Sequence, residues 1–216
     1  MDYGMMLSKL AGGMMTTVVI FGLTLLFSMP LGMLVTFGRM AKNGIIRNIT
    51  KIYISIMRGT PLMLQVMVVY FGPYYLLGIN IRPSYRFVAV IIGFVLNYAA
   101  YFAEIYRGGI ESMPVGQYEA AKLLGYTKSQ TFLRIILPQV IKRIVPSVTN
   151  EVITLVKDTS LSMVIAVSEM FTIAKALASS STSMIPYVAA GIFYYVFNFL
   201  VAYVMEYIEK KLNYYR

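Results

Sequence analysis

Apolar residues gather in five long stretches separated by charged or Gly- and Pro-containing connectors. The stretches run roughly over residues 14–37, 52–77, 87–106, 139–156 and 184–207. At about 1.5 Å of helical rise per residue, each is long enough to cross the roughly 30 Å hydrocarbon core of a bilayer. The pattern predicts an all-α, integral membrane helical bundle with five transmembrane helices. Between the fourth and fifth stretches, "SLSMVIAVSEMFTIAKALASS" is apolar but carries Glu169 and Lys175. It predicts one or two short helices at the membrane interface; a count of six spans would require this segment to cross as well.

Composition agrees with that pattern. Of 216 residues, 58% are hydrophobic and 13% charged, against about 25% charged in an ordinary globular domain. There is no Cys and no His, which excludes thiol chemistry, imidazole metal sites and histidine bases. The net charge is +10, but the basic residues lie between apolar runs, where they speak for topology and anionic lipid rather than nucleic acid. The uncharged run from Leu10 to Gly38 exceeds a signal-peptide core and no A-x-A site follows it, so a retained first span is expected.

Loop charge sets the expected orientation. With the N-terminus outside, the inner connectors hold Arg39, Lys42, Arg47, Lys51, Arg107, Lys122, Lys128, Arg134, Lys142, Arg143, Lys210, Lys211 and Arg216. The outer side holds only Lys9, Arg82, Arg86, Lys157 and Lys175, and Arg58 falls within the second span. This bias predicts N-out, C-in. Tyr3, Tyr85, Tyr214 and Tyr215 suit an interfacial aromatic belt. No repeat or low-complexity segment divides the chain, so a single transmembrane domain over 1–216 is expected.

The polar connector after the third stretch carries fixed spacing. Glu119-Ala120-Ala121 is followed after three residues by Gly125, after nine more by Ile135, and then by Leu137-Pro138. Alanines favour a helix of little bulk, Gly125 suits a left-handed helix end, and Pro138 suits a first helical turn. A short helix over about 115–126, exposed on the cytoplasmic side and able to enter a groove on a partner, is the expected product. The spacing resembles the EAA loop of permease subunits in ATP-binding-cassette (ABC) importers. "RGTPLMLQ" at 58–65, "AEIYRGGI" at 103–110 and "VKDTSL" at 156–161 resemble the polar amino-acid branch of that family. The resemblance implies the type I importer permease fold, a second permease chain (identical or sister) and an external solute-binding protein. It also implies two ATPase subunits that bind ATP and Mg²⁺ and dock at Glu119, Ala120, Ala121, Gly125, Leu137 and Pro138. The chain has no phosphate-binding G-x-x-x-x-G-K-[ST] loop, so it binds no nucleotide cofactor and is not itself an enzyme. A location in the bacterial cytoplasmic membrane follows from the same resemblance.

Acidic side chains at membrane depth are costly and mark candidate solute sites. Asn97, Ala100, Tyr101 and Glu104 share one face of the third span. Glu151 lies beside Asn150 in the fourth, with Thr154 and Asp158 continuing its face. Each acid has a structural alternative: Glu104 can pair with Arg107 at i+3, and Glu151 with a cation on another helix, such as Arg58. The functional expectation is that both face one central cavity and receive a basic amino acid such as arginine, lysine or histidine. The resemblance implies that Glu104 holds the α-amino group, which leaves the side-chain cation to Glu151. Asn97, Asn150, Thr159, Ser160 and free amides at a helix break would hold the carboxylate. Arg58, Gly59, Thr60 and Pro61 predict a broken second span, because proline removes an amide and disturbs the preceding turn. Met63, Met67 and Tyr70 are gate candidates or simple packing, and Pro30 and Pro146 candidate kinks. A permease for glutamine, glutamate or another polar amino acid is the alternative within the family. A passive channel or ion-coupled carrier is the alternative outside it, and would not need a docking helix.

Overall fold

A computed structural model of the chain describes residues 3–212. Tyr214, Tyr215 and Arg216 lie outside the described residues. Those residues form nine α-helices, with a π-helical and a 3₁₀ turn and no strand.

Helix α1 (Tyr3–Arg39) continues the first apolar stretch by three turns toward the N-terminus, since nothing there breaks the helix. Its buried face reads Gly13, Thr17, Ile20, Thr24, Ser28, Gly32 and Thr36, at three- and four-residue spacing. The small residues let backbones close in, as lipid-embedded helices favour. A Cβ on Gly32 would stand 2.8 Å from Phe102 Cβ and 3.1 Å from the Ala99 carbonyl. The Thr36 hydroxyl lies 2.8 Å from the Gly32 carbonyl and 3.1 Å from that of Ala103.

The second stretch is not one continuous span. It forms α2 (Gly44–Gly59) and α3 (Leu62–Leu77), bent by 110° at Thr60-Pro61. Asn43 caps α2, its side chain accepting from the Ile45 amide at 2.9 Å. Thr60 is extended, as the residue before proline must be. The freed carbonyls at the break are taken by side chains. Gln65 Nε2 donates to Met57 O (2.9 Å) and Thr60 O (3.1 Å), and Asn97 Nδ2 donates to Met57 O (3.0 Å).

Helix α4 (Tyr85–Glu111) is the hub, packed against α1, α2, α3 and the helix over Leu137–Asp158. Of its most apolar stretch 61% is buried, against 22% in α1 and 6% in the last helix, Ile185–Leu212, so α4 faces its own bundle and the other two face outward. After α5 (Val115–Leu123) and α6 (Lys128–Gln130), a π-turn (Thr131–Ile136) runs into α7 (Leu137–Asp158), followed by a 3₁₀ turn (Thr159–Ile165). The fourth span, expected over 139–156, is thus part of a helical run over Lys128–Ile165. Pro30 and Pro146 both sit inside continuous helices.

Helix α8 (Met170–Ser181) is about 18 Å long at 1.5 Å per residue, too short to cross alone. It does not lie free: Met170 and Ala174 pack between α1 and α9 (Ile185–Leu212), against Met6, Leu10 and Ala190. Glu169, fully buried, caps α8 and accepts from the Phe171 and Thr172 amides at 2.7 Å each, and from the Tyr194 hydroxyl of α9 at 3.0 Å. Among the described residues, three helices are long and apolar enough to span on their own, or up to five if each bent pair counts as one span.

Candidate solute cavity and docking helix

The break between α2 and α3 opens onto a cavity of about 410 Å³, enclosed by the break itself, α4 and α7. Its wall includes Thr60, Pro61, Asn97, Tyr98, Tyr101, Glu151, Thr154 and Asp158. Glu151 and Asp158 share the inner face of α7 at a seven-residue interval, which brings a helix back to nearly the same side. Asp158 Oδ2 accepts from the Tyr98 hydroxyl at 2.7 Å. Glu151 has no hydrogen bond and no ion pair within 4.0 Å among the described residues. The cavity therefore offers two carboxylates, one anchored and one open, and the Tyr101 ring.

Several expected site residues are elsewhere. Glu104 is not in the wall with Glu151. Arg107, one turn on, donates to it through Nε (3.1 Å) and Nη2 (2.7 Å), and Arg39 and Arg58 stand 3.9 and 3.8 Å away. The seven-residue step from Asn97 carries Glu104 to the far end of α4, among basic helix ends, and the i+3 pairing wins. Asn97 is in the wall, but its amide nitrogen is spent on Met57 O and Gln65 Oε1, both at 3.0 Å, so it caps the break rather than presenting donors. Asn150 is exposed on another face of α7. Thr159 is buried with its hydroxyl on Val156 O, and Ser160 donates to Lys157 O, so neither opens onto the cavity. Of the gate candidates, Thr60 and Pro61 line the wall, whereas Met67 and Tyr70 pack in the main core and Met63 is outside the wall. Tyr98 was not singled out in the sequence, because one more tyrosine among 18 carries no signal until Asp158 is seen beside it.

Helix α5 forms within the expected 115–126 segment. Gly125 ends it at φ +79, with Tyr126 N donating to Ala121 O and Gly125 N to Lys122 O, both at 3.0 Å. Glu119 and Ala120 are exposed, but Ala121 is 1% exposed and packs inward, so it does not belong to the outer surface. The face instead presents Val115, Leu123 and Leu124 at 70–88% exposure. These leucines were passed over because the reading followed the fixed Glu-Ala-Ala and Gly positions of the loop. Gln117 and Gln139 exchange amide hydrogen bonds of 2.9 and 2.8 Å, which clamp α5 to the first turn of α7. Pro138 is exposed and Leu137 half-buried beside that clamp.

Residues 28–214 match the family of binding-protein-dependent transport system inner membrane components. The chain belongs to that family. It is 34% identical over 209 residues to an L-cystine transport system permease of Bacillus subtilis, covering 95% of this chain and 87% of that one. It is 35% identical to a putative glutamine transport system permease of Rickettsia bellii, covering 88% and 86%. With an arginine transport system permease of Bacillus subtilis it shares 39% identity, covering 76% and 74%. A crystal structure of an amino acid ABC transporter with histidines superimposes at a TM-score of 0.87 with 28% identity, over 98% of this chain and 99% of that one. A methionine ABC transporter in an inward-facing conformation shares the fold, at a TM-score of 0.74 and 16% identity over 99% and 100%. The resemblance drawn from the EAA spacing and its companion motifs to amino-acid permeases of ABC importers holds. The permease has the type I importer fold and is a transport component, not an enzyme; hydrolysis of ATP belongs to a separate subunit.

Proposed function

We propose that this permease imports amino acids with a cationic side chain, such as arginine, lysine or histidine, by ATP-driven alternation between outward and inward openings. The observation that carries the proposal is the open carboxylate of Glu151 in the wall of a cavity with room for an amino acid. In a low-dielectric site an unpartnered carboxylate favours a cationic guest through a charge-assisted hydrogen bond. Glu151 then takes the side-chain cation. Asp158, already steadied by Tyr98, takes the α-amino group in place of Glu104. The Tyr101 hydroxyl is the donor left for the carboxylate. The arginine permease relative and the structure with histidines support this choice. The glutamine and cystine relatives favour a second reading, a polar amino acid without side-chain charge.

The assembly follows from the docking face. The exposed Glu119, Val115 and Leu123 of α5, with Leu124 at its end, suit a groove on an ATPase subunit. Two such subunits, carrying ATP and Mg²⁺, would serve two permease chains, identical or sister. An extracytoplasmic binding protein would deliver solute across a bacterial cytoplasmic membrane, with α5 on the cytoplasmic side. No nucleic acid takes part. A channel or ion-coupled carrier would leave α5 without a purpose.

The test uses the assembled transporter, with its ATPase and binding protein, in liposomes. Glu151→Gln should lower the efficiency of arginine uptake about ten- to a hundredfold, the worth of one hydrogen bond to a charged group, and leave glutamine uptake within about twofold. An unchanged preference for arginine would remove Glu151 from this role.

A further inference from the structure

We propose that Arg58 is a specificity-determining residue of this transporter, a tethered cation that exchanges between Glu104 and the cavity acid Glu151 as the solute leaves and enters. This rests on the cavity being the solute site.

The charge distribution around α4 is lopsided. Glu104 has three arginines near it, and Arg107 satisfies it through two nitrogens. Arg107 also reaches Glu111, so the cluster at that end holds three guanidinium groups for two carboxylates. One turn to two turns away along α4, the cavity holds Glu151 and Asp158 and no basic side chain in its wall. A surplus cation thus stands beside a surplus of anions, in surroundings where unbalanced charge is expensive.

Arg58 is the side chain placed to move between them. Its contact with Glu104 is loose, 3.8 Å against the 2.7 Å of Arg107, and its side chain remains 45% exposed. Its guanidinium carbon lies 5.2 Å from the centre of the Tyr101 ring, and Tyr101 forms part of the cavity wall. Arg58 also precedes the break by two residues, and Thr60 and Pro61 of the break line the same cavity. The Tyr101 face offers a cation–π path between the two acids. With the cavity empty, Arg58 leans over Tyr101 to balance Glu151. A cationic solute displaces it, and it returns to Glu104. Solute binding becomes an exchange of one cation for another, so a cationic guest competes with Arg58 and an uncharged guest does not.

The exchange makes opposite predictions for its two ends. In equilibrium binding of labelled arginine to the purified, assembled transporter without ATP, Arg58→Gln removes the competitor and should tighten arginine binding about fivefold or more. Glu104→Gln removes the resting place and should weaken it by a similar factor. Glutamine binding should stay within about twofold in both, and Arg58→Lys should behave as wild type. A merely structural Arg58 would weaken both ligands in both variants, and that result, or an unchanged arginine affinity in Arg58→Gln, would overturn the proposal. If Arg58→Gln does not assemble, Glu104→Gln against Arg58→Lys decides: weakened arginine binding in the first alone supports the exchange, and equal affinities reject it. Glu151→Gln, measured alongside, separates the two levels. If it loses arginine selectivity while Arg58→Gln matches wild type, only the exchange fails; if Glu151→Gln itself changes nothing, the cavity assignment fails first.

Discussion

Gln117 of α5 and Gln139 of α7 face each other across 22 residues of chain and bind amide to amide in both directions. Gln139 also donates to Ile135 O at 2.6 Å, a carbonyl of the π-turn that precedes Pro138. The pair is a polar link between α5 and the transmembrane helix that carries Glu151 and Asp158. Arg143 adds a second tether, donating to Ser112 O at 2.6 Å just ahead of α5. Loss of Gln139 should therefore loosen transmission without removing either end. Gln139→Ala is expected to cost about 1–2 kcal/mol of α5 anchoring and to lower solute moved per ATP hydrolysed about fivefold. Co-purification with the ATPase should persist, and simultaneous uptake and hydrolysis assays check both.

Gly125 is held at φ +79, and a Cβ there would meet nothing within 4 Å. Any effect of substitution is then backbone strain alone, about 1–2 kcal/mol for an ordinary L-residue. Gly125→Val should weaken ATPase association about tenfold, whereas Gly125→Asn, which tolerates the left-handed region, should stay near wild type. Binding of the purified ATPase to the permease in detergent distinguishes them.

The α1–α4 contact allows a clean steric comparison. Gly32→Ala drives a methyl into Phe102 Cβ and the Ala99 carbonyl, and overpacking of this kind costs about 1–3 kcal/mol. Gly22→Ala, on the same helix with nothing within 4 Å, should be neutral or slightly stabilising. Thermal unfolding in detergent should show a lower midpoint for the first variant only.

Glu169 joins α8 and α9 through one buried carboxylate. Glu169→Ala removes the α8 cap, worth about 1 kcal/mol, and leaves the buried Tyr194 hydroxyl without this acceptor. A loss of about 2 kcal/mol in total is expected, again read as a lowered unfolding midpoint. Lys175→Ala, an exposed position on the same helix, should change it little.

The membrane class, the number of apolar stretches and the short helix that ends at Gly125 were legible because each rests on local physics. Hydrocarbon demands length and apolarity, proline removes an amide wherever it stands, and Gly125 is needed where the backbone turns left-handed. The break at Thr60-Pro61 was foreseen for the same reason. Its 110° bend, and the use of Asn97 and Gln65 to satisfy the freed carbonyls, were not, since both partners lie on other turns or helices. Glu169 looked like a charge marking an interface and proved to be a buried cap, because its partner Tyr194 is 25 residues away.

The candidate site divides along the same line. Periodicity within one helix correctly put Glu151 and Asp158 on one face, and the i+3 spacing already offered Arg107 to Glu104. Choosing between that pair and the cavity needed the positions of Arg39 and Arg58, which come from α1 and α2. The amino-acid order by itself determined the apolar stretches, the break at Thr60-Pro61 and the short exposed helix that ends at Gly125. Only the packing of α2, α4 and α7 decided that Glu151 lines a cavity while Glu104, already offered Arg107 by its own helix, lies apart from it among further cations, because the approach of one helix to another is a distance that no spacing within a helix contains.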